Sequence, residues 1–378
     1  MRDGRPLEIL CVAGARPNFV KLAPLIAAFD ATPNVVARIL HTAQHSDARM
    51  SRVFFDELEI RDPDVLLDPG AGGHAEQTAR VMLGVGAALD ERRPDLLLVV
   101  GDVASTLAAA LAAKQKGVPV AHVEAGLRSF DETMPEEINR LLTDRLSDVL
   151  YTTEAQAEAN LKREGIDSGR IVFAGNVMID SLLRCLPRAT PFEKSLASLE
   201  APDAFIARAR SGYVLATLHR PSNVDQETTL APLLGALVEI SRRAPIVFPV
   251  HPRTQRMLAR PSLRDVIRSG DILLGPPIGY LAMIGLMRDA RLALTDSGGV
   301  QEETTGLRTP CLTLRTSTER PATIDCGSNR LIGVEPESIV AAACEILRWG
   351  GARVERTPPL WDGKAAERIV ADIVSRFG

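Results

Sequence analysis

Short apolar runs alternate along the chain with stretches whose apolar residues recur at helical spacing. The runs EILCVA (8–13), VVARIL (35–40), DLLLVV (95–100), VPVAHV (118–123), DVLYTT (148–153) and RIVFAG (170–175) are near-continuous rather than alternating. That is the pattern of strands buried on both faces. Segments such as NFVKLAPLIAAF and STLAAALAAKQK lie between them and read as helices. The order predicts βα units and a parallel sheet covered by helices. A second series follows: YVLATL (213–218), PIVFPV (245–250), DILLG (271–275), RLALT (291–295), PCLTL (310–314) and NRLIGV (329–334). The polar, proline-bearing stretch 185–212 separates the two series and reads as a linker. The expected organisation is an amino-terminal domain over 1–184, the linker at 185–212, and a second domain over 213–363. A helix over about 364–378 is placed to pack back onto the first domain. The fold class is α/β, with two doubly wound domains facing a central cleft. Ligands of such sheets bind outside the carboxyl ends of the strands.

Composition narrows the function. The 378 residues carry 46% hydrophobic residues and a net charge of −4, without a long block of one sign. Bulk electrostatic attachment to nucleic acid or membrane is therefore excluded, whereas a local basic pocket is not. The five cysteines are scattered, odd in number and free of any CxxC spacing. This fits a reduced, cytoplasmic protein. No apolar stretch reaches the ~20 residues of a membrane span. No zinc spacing, GxSxG, HExxH, P-loop or NAD fingerprint is present, so no metal or cofactor is expected.

The candidate chemistry clusters just after the strands. GARPNFVK (14–21) offers a tight turn at Gly14, a forked donor at Arg16 and Pro17 in a first helical turn, a suitable entry for an anion. In LTDSGGVQEE (294–303), Ser297 is placed to cap a helix. Gly298 and Gly299 let a diphosphate approach backbone N–H groups, and Glu302 and Glu303 are placed to accept from ribose hydroxyls. His219 with Arg220, His251 with Arg253, and Arg315, Glu319 and Arg320 follow other strands of the same series and suit phosphates. In the first series Asp102 lies beyond one strand, and the neighbouring strand delivers His122, Glu124 and Arg128. A helix starts near Pro135 with Glu136 and Glu137 in its first turn, where one of the two serves as a dipole partner.

The segments GARPNFVKLAPL, HTAQH, HAEQT, GD…STLAAALAA, HVEAGLRSFDETMPEEINR, HRPSNVD, VHPRT and LTDSGGVQEETTGLRTPCLTLRTSTERP occur in this order. Together they resemble the non-hydrolysing UDP-N-acetylglucosamine 2-epimerases from residue 8 to about 335. The resemblance implies two Rossmann-like domains in the GT-B arrangement, a homodimer, and interconversion of UDP-GlcNAc with UDP-ManNAc. It implicates Asp102, Glu124, Glu136 and His219 in catalysis and puts Arg16 and Lys21 near the diphosphate or sugar. Arg128, His251, Arg253 and Arg320 would join the substrate site. Ser297, Gly298 and Gly299 would hold phosphate, and Glu303 the ribose. Gln44 and His45 match a region that binds a second, activating UDP-GlcNAc in bacterial relatives. Asp47 replaces a second glutamine common there. Val103, Ala104, Ser222, Met283 and Ala322 also depart from the family pattern. They motivate a non-catalytic nucleotide-sugar sensor as an alternative; a hydrolysing epimerase, which would admit water to the same intermediate, and a GT-B glycosyltransferase, which would share the UDP site, are the others.

Overall fold

A computed structural model describes residues 5–43, 54–68, 70, 72–350 and 356–378. The chain forms two units. One comprises the residues up to Arg184 together with Pro359–Gly378, and the other is Cys185–Pro358.

Among the described residues, the first unit is built on seven parallel strands. They are β1 (Leu7–Ala13), β2 (Val35–His41), β3 (Val65–Leu66), β4 (Leu96–Val100), β5 (Val120–Ala125), β6 (Val149–Thr152) and β7 (Ile171–Phe173). Their order is β3-β2-β1-β4-β5-β6-β7. All five residues of β4 and all six of β5 are buried, as continuous apolar runs require. β5 is exceptional because two of its six buried residues, His122 and Glu124, are ionisable. Only β3 is absent from the strand pattern of the sequence. It is a two-residue edge strand without a buried face.

Among its described residues the second unit has six parallel strands: β8 (Val214–Thr217), β9 (Ile246–Pro249), β10 (Ile272–Gly275), β11 (Leu292–Thr295), β12 (Cys311–Thr313) and β13 (Asn329–Leu331). Their order is β10-β9-β8-β11-β12-β13. Leu294, Phe248 and Leu312 share a core with helix residues such as Leu234, Leu237 and Ile339.

The two sheets share one topological device. In the first the order reverses between β1 and β4, and in the second between β8 and β11. Successive crossovers leave in opposite directions there, opening a crevice at the carboxyl ends of those strands. The loops after β1, β4, β8 and β11 are thus where each unit can receive a ligand.

The stretch 185–212 carries the helices Phe192–Ser198 and Asp203–Ala209 and belongs to the second unit. Leu196 and Phe205 are buried. The terminal helix Ala365–Phe377 lies in the first unit. Asp180 accepts from the N–H groups of Ala365 and Ala366 at 3.2 and 2.7 Å, capping orphan donors of its first turn. Tyr151 donates to Asp372 at 2.9 Å, and the Trp361 indole N–H donates to the Thr153 carbonyl at 2.9 Å.

Candidate active site

In the first unit the loop after β4 is held by side chains from several elements. Asn18 Nδ2 and Thr106 Oγ1 donate to the Val100 carbonyl at 2.8 and 3.0 Å. Gly101 follows at φ +68°, and a Cβ there would sit 2.8 Å from Lys21 Nζ. A side chain at this turn would therefore be strained and would displace the lysine. Asp102 comes next. Its carbonyl accepts from Asn139 Nδ2 at 2.8 Å, and its Oδ2 accepts from Arg140 Nε at 3.0 Å. The Asp102 side chain is one-fifth exposed.

Glu124, the penultimate residue of β5, has φ +74° and lies at a register shift between Val123 and Ala125. This conformation is unfavourable for a residue with a side chain, and such strain tends to persist at functional sites. The Glu124 carboxylate is 2.5 Å from Lys21 Nζ, and both side chains are buried. Lys21, expected near the diphosphate or sugar, thus connects Glu124 with the Gly101–Asp102 turn.

The helix Pro135–Leu146 divides its two first-turn acids. Glu137 is buried and accepts from Ser129 N, Ser129 Oγ and Phe130 N at 2.9, 3.0 and 3.0 Å. It also pairs with Arg140. Its carboxylate fastens the preceding turn. Glu136 is exposed, so it is the acid of the pair that can meet a ligand.

Arg128, which the resemblance puts in the substrate site, is taken up by carboxylates. Its guanidinium is buried and lies 2.7 Å from Asp144 and 2.7 Å from Glu164, while Nη1 donates to the Leu127 carbonyl. Burial opposes the charge, but the Glu164 and Asp144 carboxylates outweigh it and raise its pKa above the ordinary arginine value. Arg16 opens the helix Arg16–Asp30 directly after the β1 turn. Gln44 and His45 lie outside the described residues.

In the second unit Asp296, fully buried after β11, organises the loop after β8. It accepts from the backbone N–H of His219 at 3.0 Å, that of Arg220 at 2.9 Å and Asn223 Nδ2 at 3.1 Å. His219 Nδ1 is 2.9 Å from Oδ1 of the same carboxylate. Burial works against this acid's ionisation, yet His219 and the backbone donors pull its pKa below the usual Asp value. A carboxylate on Nδ1 directs the other ring nitrogen, Nε2, to any ligand. The His251 ring is 5.4 Å from that of His219. Its Nδ1 accepts from Arg253 N at 3.2 Å. Arg253 itself is engaged with Asp225 through contacts of 2.6 and 2.8 Å, rather than displayed for a phosphate.

Ser297 is the N-cap residue of the helix Gly298–Leu307, whose first turn follows β11. A Cβ on Gly298 would lie 2.5 Å from Arg320 Nη1, so the absent side chain lets the guanidinium rest against the helix start. Gly299 is the next residue of that turn. Arg320 contacts Glu302 at 3.1 Å and Glu319 at 2.6 Å. Arg315 reaches Glu319 at 2.9 Å and Arg220 reaches it at 3.3 Å. Three guanidiniums, from Arg220, Arg315 and Arg320, thus gather with Glu302, Glu319 and Asp296 beside a helix N-terminus. That combination suits a phosphate. Glu303 is buried one turn further on, with the Tyr280 hydroxyl bonded to it. Burial pushes its pKa up to about 8, the Tyr280 hydrogen bond lowers it, and Glu302 adds to the rise.

Motif reasoning put Asp296 in a helix-capping sequence and did not assign it the orientation of His219. The signal was an Asp at the end of one strand with a His at the end of another, which only their β8–β11 adjacency connects. Among the described residues no group of three or more His, Cys, Asp or Glu is placed to hold a metal ion.

Two doubly wound α/β units, one with ion-paired carboxylates after β4 and in β5 and the other with guanidiniums gathered at a helix start, have the architecture of nucleotide-ligand enzymes. The sequence profile of the UDP-N-acetylglucosamine 2-epimerase family matches residues 27–374, and the chain belongs to that family. It is 44% identical over 335 residues to a UDP-N-acetylglucosamine 2-epimerase homolog of Methanococcus maripaludis, covering 88% of this chain and 91% of the relative. It is 40% identical over 374 residues to the UDP-2,3-diacetamido-2,3-dideoxy-D-glucuronate 2-epimerase of Pseudomonas aeruginosa, covering 98% and 100% of the two chains. The crystal structure of Methanocaldococcus jannaschii UDP-GlcNAc 2-epimerase in complex with UDP-GlcNAc and UDP superposes with a TM-score of 0.84 at 38% identity. That match covers 98% of this chain and 100% of the other.

Proposed function

We propose that the protein interconverts UDP-N-acetylglucosamine and UDP-N-acetylmannosamine by inverting C2 of the sugar. The C2 proton has no neighbouring carbonyl to acidify it. Cleavage of the C1–O bond, with its electron pair leaving on UDP, develops positive charge at C1 and makes that proton removable. A carboxylate takes the proton, giving 2-acetamidoglucal and UDP. Protonation of C2 from the opposite face and return of UDP to C1 complete the inversion.

Proton transfer on two faces needs at least two acid/base groups held in place. Asp102, braced by Arg140, and Glu124, paired with Lys21, are the candidates, with the exposed Glu136 of the Pro135–Leu146 helix as a third. The leaving diphosphate needs cationic and N–H stabilisation. Ser297, Gly298, Gly299 and Arg320 are the candidates, with His219 Nε2 and His251 as further donors and Glu303 toward the ribose. The observation that carries this assignment is the division of labour: ion-paired acids after β4 and in β5 of one unit, and guanidinium and N–H donors at a helix start in the other.

One comparison favours a second substrate. The Pseudomonas relative, matched over essentially its whole length, is named for a UDP-diacetamido-glucuronate. Turnover of that sugar and of UDP-GlcNAc, measured side by side, decides between them. Preference of ~10-fold or more for the glucuronate in kcat/KM would replace the substrate proposed here.

The enzyme is further proposed to act as a cytoplasmic homodimer. Leu83, Ile138 and Leu142 are large apolar side chains exposed on helices of the first unit, and all five cysteines are free. Light scattering giving a monomer mass at micromolar concentration would remove the dimer.

A further inference from the structure

His122 is fully buried in the middle of β5 and has no place among the groups assigned above. Its ring bridges two acceptors. Nδ1 is 2.7 Å from Asp144 Oδ1, and Nε2 is 2.8 Å from the Gly101 carbonyl. The second oxygen of Asp144 accepts from Gly126 N at 3.0 Å and faces Arg128 at 2.7 Å. Burial opposes ionisation of Asp144, but His122 and Arg128 overcome it and lower its pKa, so it is an acceptor throughout. A carbonyl oxygen only accepts. A hydrogen on each ring nitrogen is therefore needed to satisfy both contacts, with the resulting charge balanced by Asp144.

The Gly101 carbonyl belongs to the residue immediately before Asp102. The Val100, Gly101 and Asp102 carbonyls are each held by a side chain, from Asn18 and Thr106, from His122 and from Asn139 respectively. His122 is the member of this set rooted in the adjacent strand, where it pairs with Val99, and its other ring nitrogen is held by the buried Asp144 carboxylate. Without this bond the Gly101–Asp102 peptide would rest on the Gly101 N–Val123 O bond and the Asn139 and Arg140 contacts alone, with more freedom for Asp102 to shift.

We propose that His122 is a positioning residue for the reaction: its Nε2–H clamps the Gly101 carbonyl and thereby fixes the Asp102 carboxylate, while Asp144 orients the ring from behind. The role rests on Asp102 being one of the acid/base groups. Displacement of a catalytic group by about 1 Å costs on the order of 100-fold in rate, which sets the scale of the effect.

Two substitutions separate this role from a structural one. The amide nitrogen of Gln reaches the position of Nε2, and that of Asn reaches the position of Nδ1. His122→Gln keeps the donor to Gly101 and loses the one to Asp144. His122→Asn keeps the donor to Asp144 and loses the clamp. The clamp predicts that Asn lowers kcat by ~10-fold or more beyond Gln, with KM for the UDP-sugar changing less than ~3-fold. A structural role centred on Asp144 predicts the reverse order, because Gln leaves that buried carboxylate short of a donor.

Asp102→Asn is run alongside, with thermal unfolding and UDP binding measured for every variant. Full turnover in Asp102→Asn overturns the acid/base role of Asp102. A dead Asp102→Asn together with equal or inverted His122→Asn and His122→Gln rates overturns the clamp alone. Nitrogen-15 spectra of the parent protein at neutral pH supply an independent readout. Protonated-type shifts are expected for both ring nitrogens of His122, and one unprotonated nitrogen contradicts the proposed geometry.

Discussion

Nζ of Lys21 lies 2.5 Å from Oε2 of Glu124, and more than nine-tenths of each side chain is buried. Removing one partner of such a pair leaves an uncompensated buried charge, a loss of about 3–5 kcal/mol. Lys21→Met is therefore expected to lower unfolding stability on that scale and to cut turnover by ~100-fold or more, with UDP affinity altered less than ~3-fold. The double variant Lys21→Met/Glu124→Gln should regain more than half of the stability and none of the turnover. Urea unfolding and steady-state kinetics check both. A Lys21→Met enzyme of normal stability whose only defect is a raised KM would instead return this lysine to direct substrate contact.

Arg128 supports the fold through a forked contact that a lysine cannot reproduce. The Arg128→Lys variant is expected to melt several degrees lower because the two-pronged bond to Glu164 and the contact with Asp144 are both disturbed. Its affinity for UDP should stay within ~2-fold of the parent. Calorimetric titration of UDP checks this, and a ~10-fold weaker affinity with an unchanged melting temperature would favour the substrate-site role that the resemblance implies.

Glu303 gives a pH-dependent prediction. Its folded pKa, raised by burial to about 8, lies above the ordinary carboxylate value of 4.5. Between those two values the folded state holds a proton that the unfolded chain has released. Stability from this group is therefore fully present below the unfolded pKa, declines through the interval and levels off above pH ~8. From pH 6 to 9 the parent should lose about 2–3 kcal/mol through Glu303, a loss that Glu303→Gln lacks. Urea titrations of the two proteins at both pH values test it. Parallel curves would show that the acid is already ionised at pH 6.

How much of this could be read along the chain follows from the physics of each feature. Leu96–Val100 was legible because a strand covered on both faces has to be apolar throughout. Val65–Leu66 was not, since two half-exposed edge residues carry no period. The stretch 185–212 has the proline and polar content of a linker. Single apolar residues such as Leu196 and Phe205 nevertheless suffice to seat its short helices. Side-chain commitments were least visible. Glu136 and Glu137 are adjacent acids in one helical turn, and only the path of the 129–130 turn decides which is fastened. Lys21 and Glu124, like Asp296 and His219, are distant in sequence. They meet because β1 lies beside β4, which lies beside β5, and because β8 lies beside β11.

The central claim is that C2 loses its proton to the enzyme and regains one from the other face. Incubating the protein with UDP-GlcNAc in D2O, without any acceptor, and following the sugar signals by NMR tests it most directly. The account predicts UDP-ManNAc carrying deuterium at C2, with deuterium also entering the UDP-GlcNAc pool. Free N-acetylmannosamine with UDP, or a UDP-sugar that keeps its C2 hydrogen indefinitely, would contradict it.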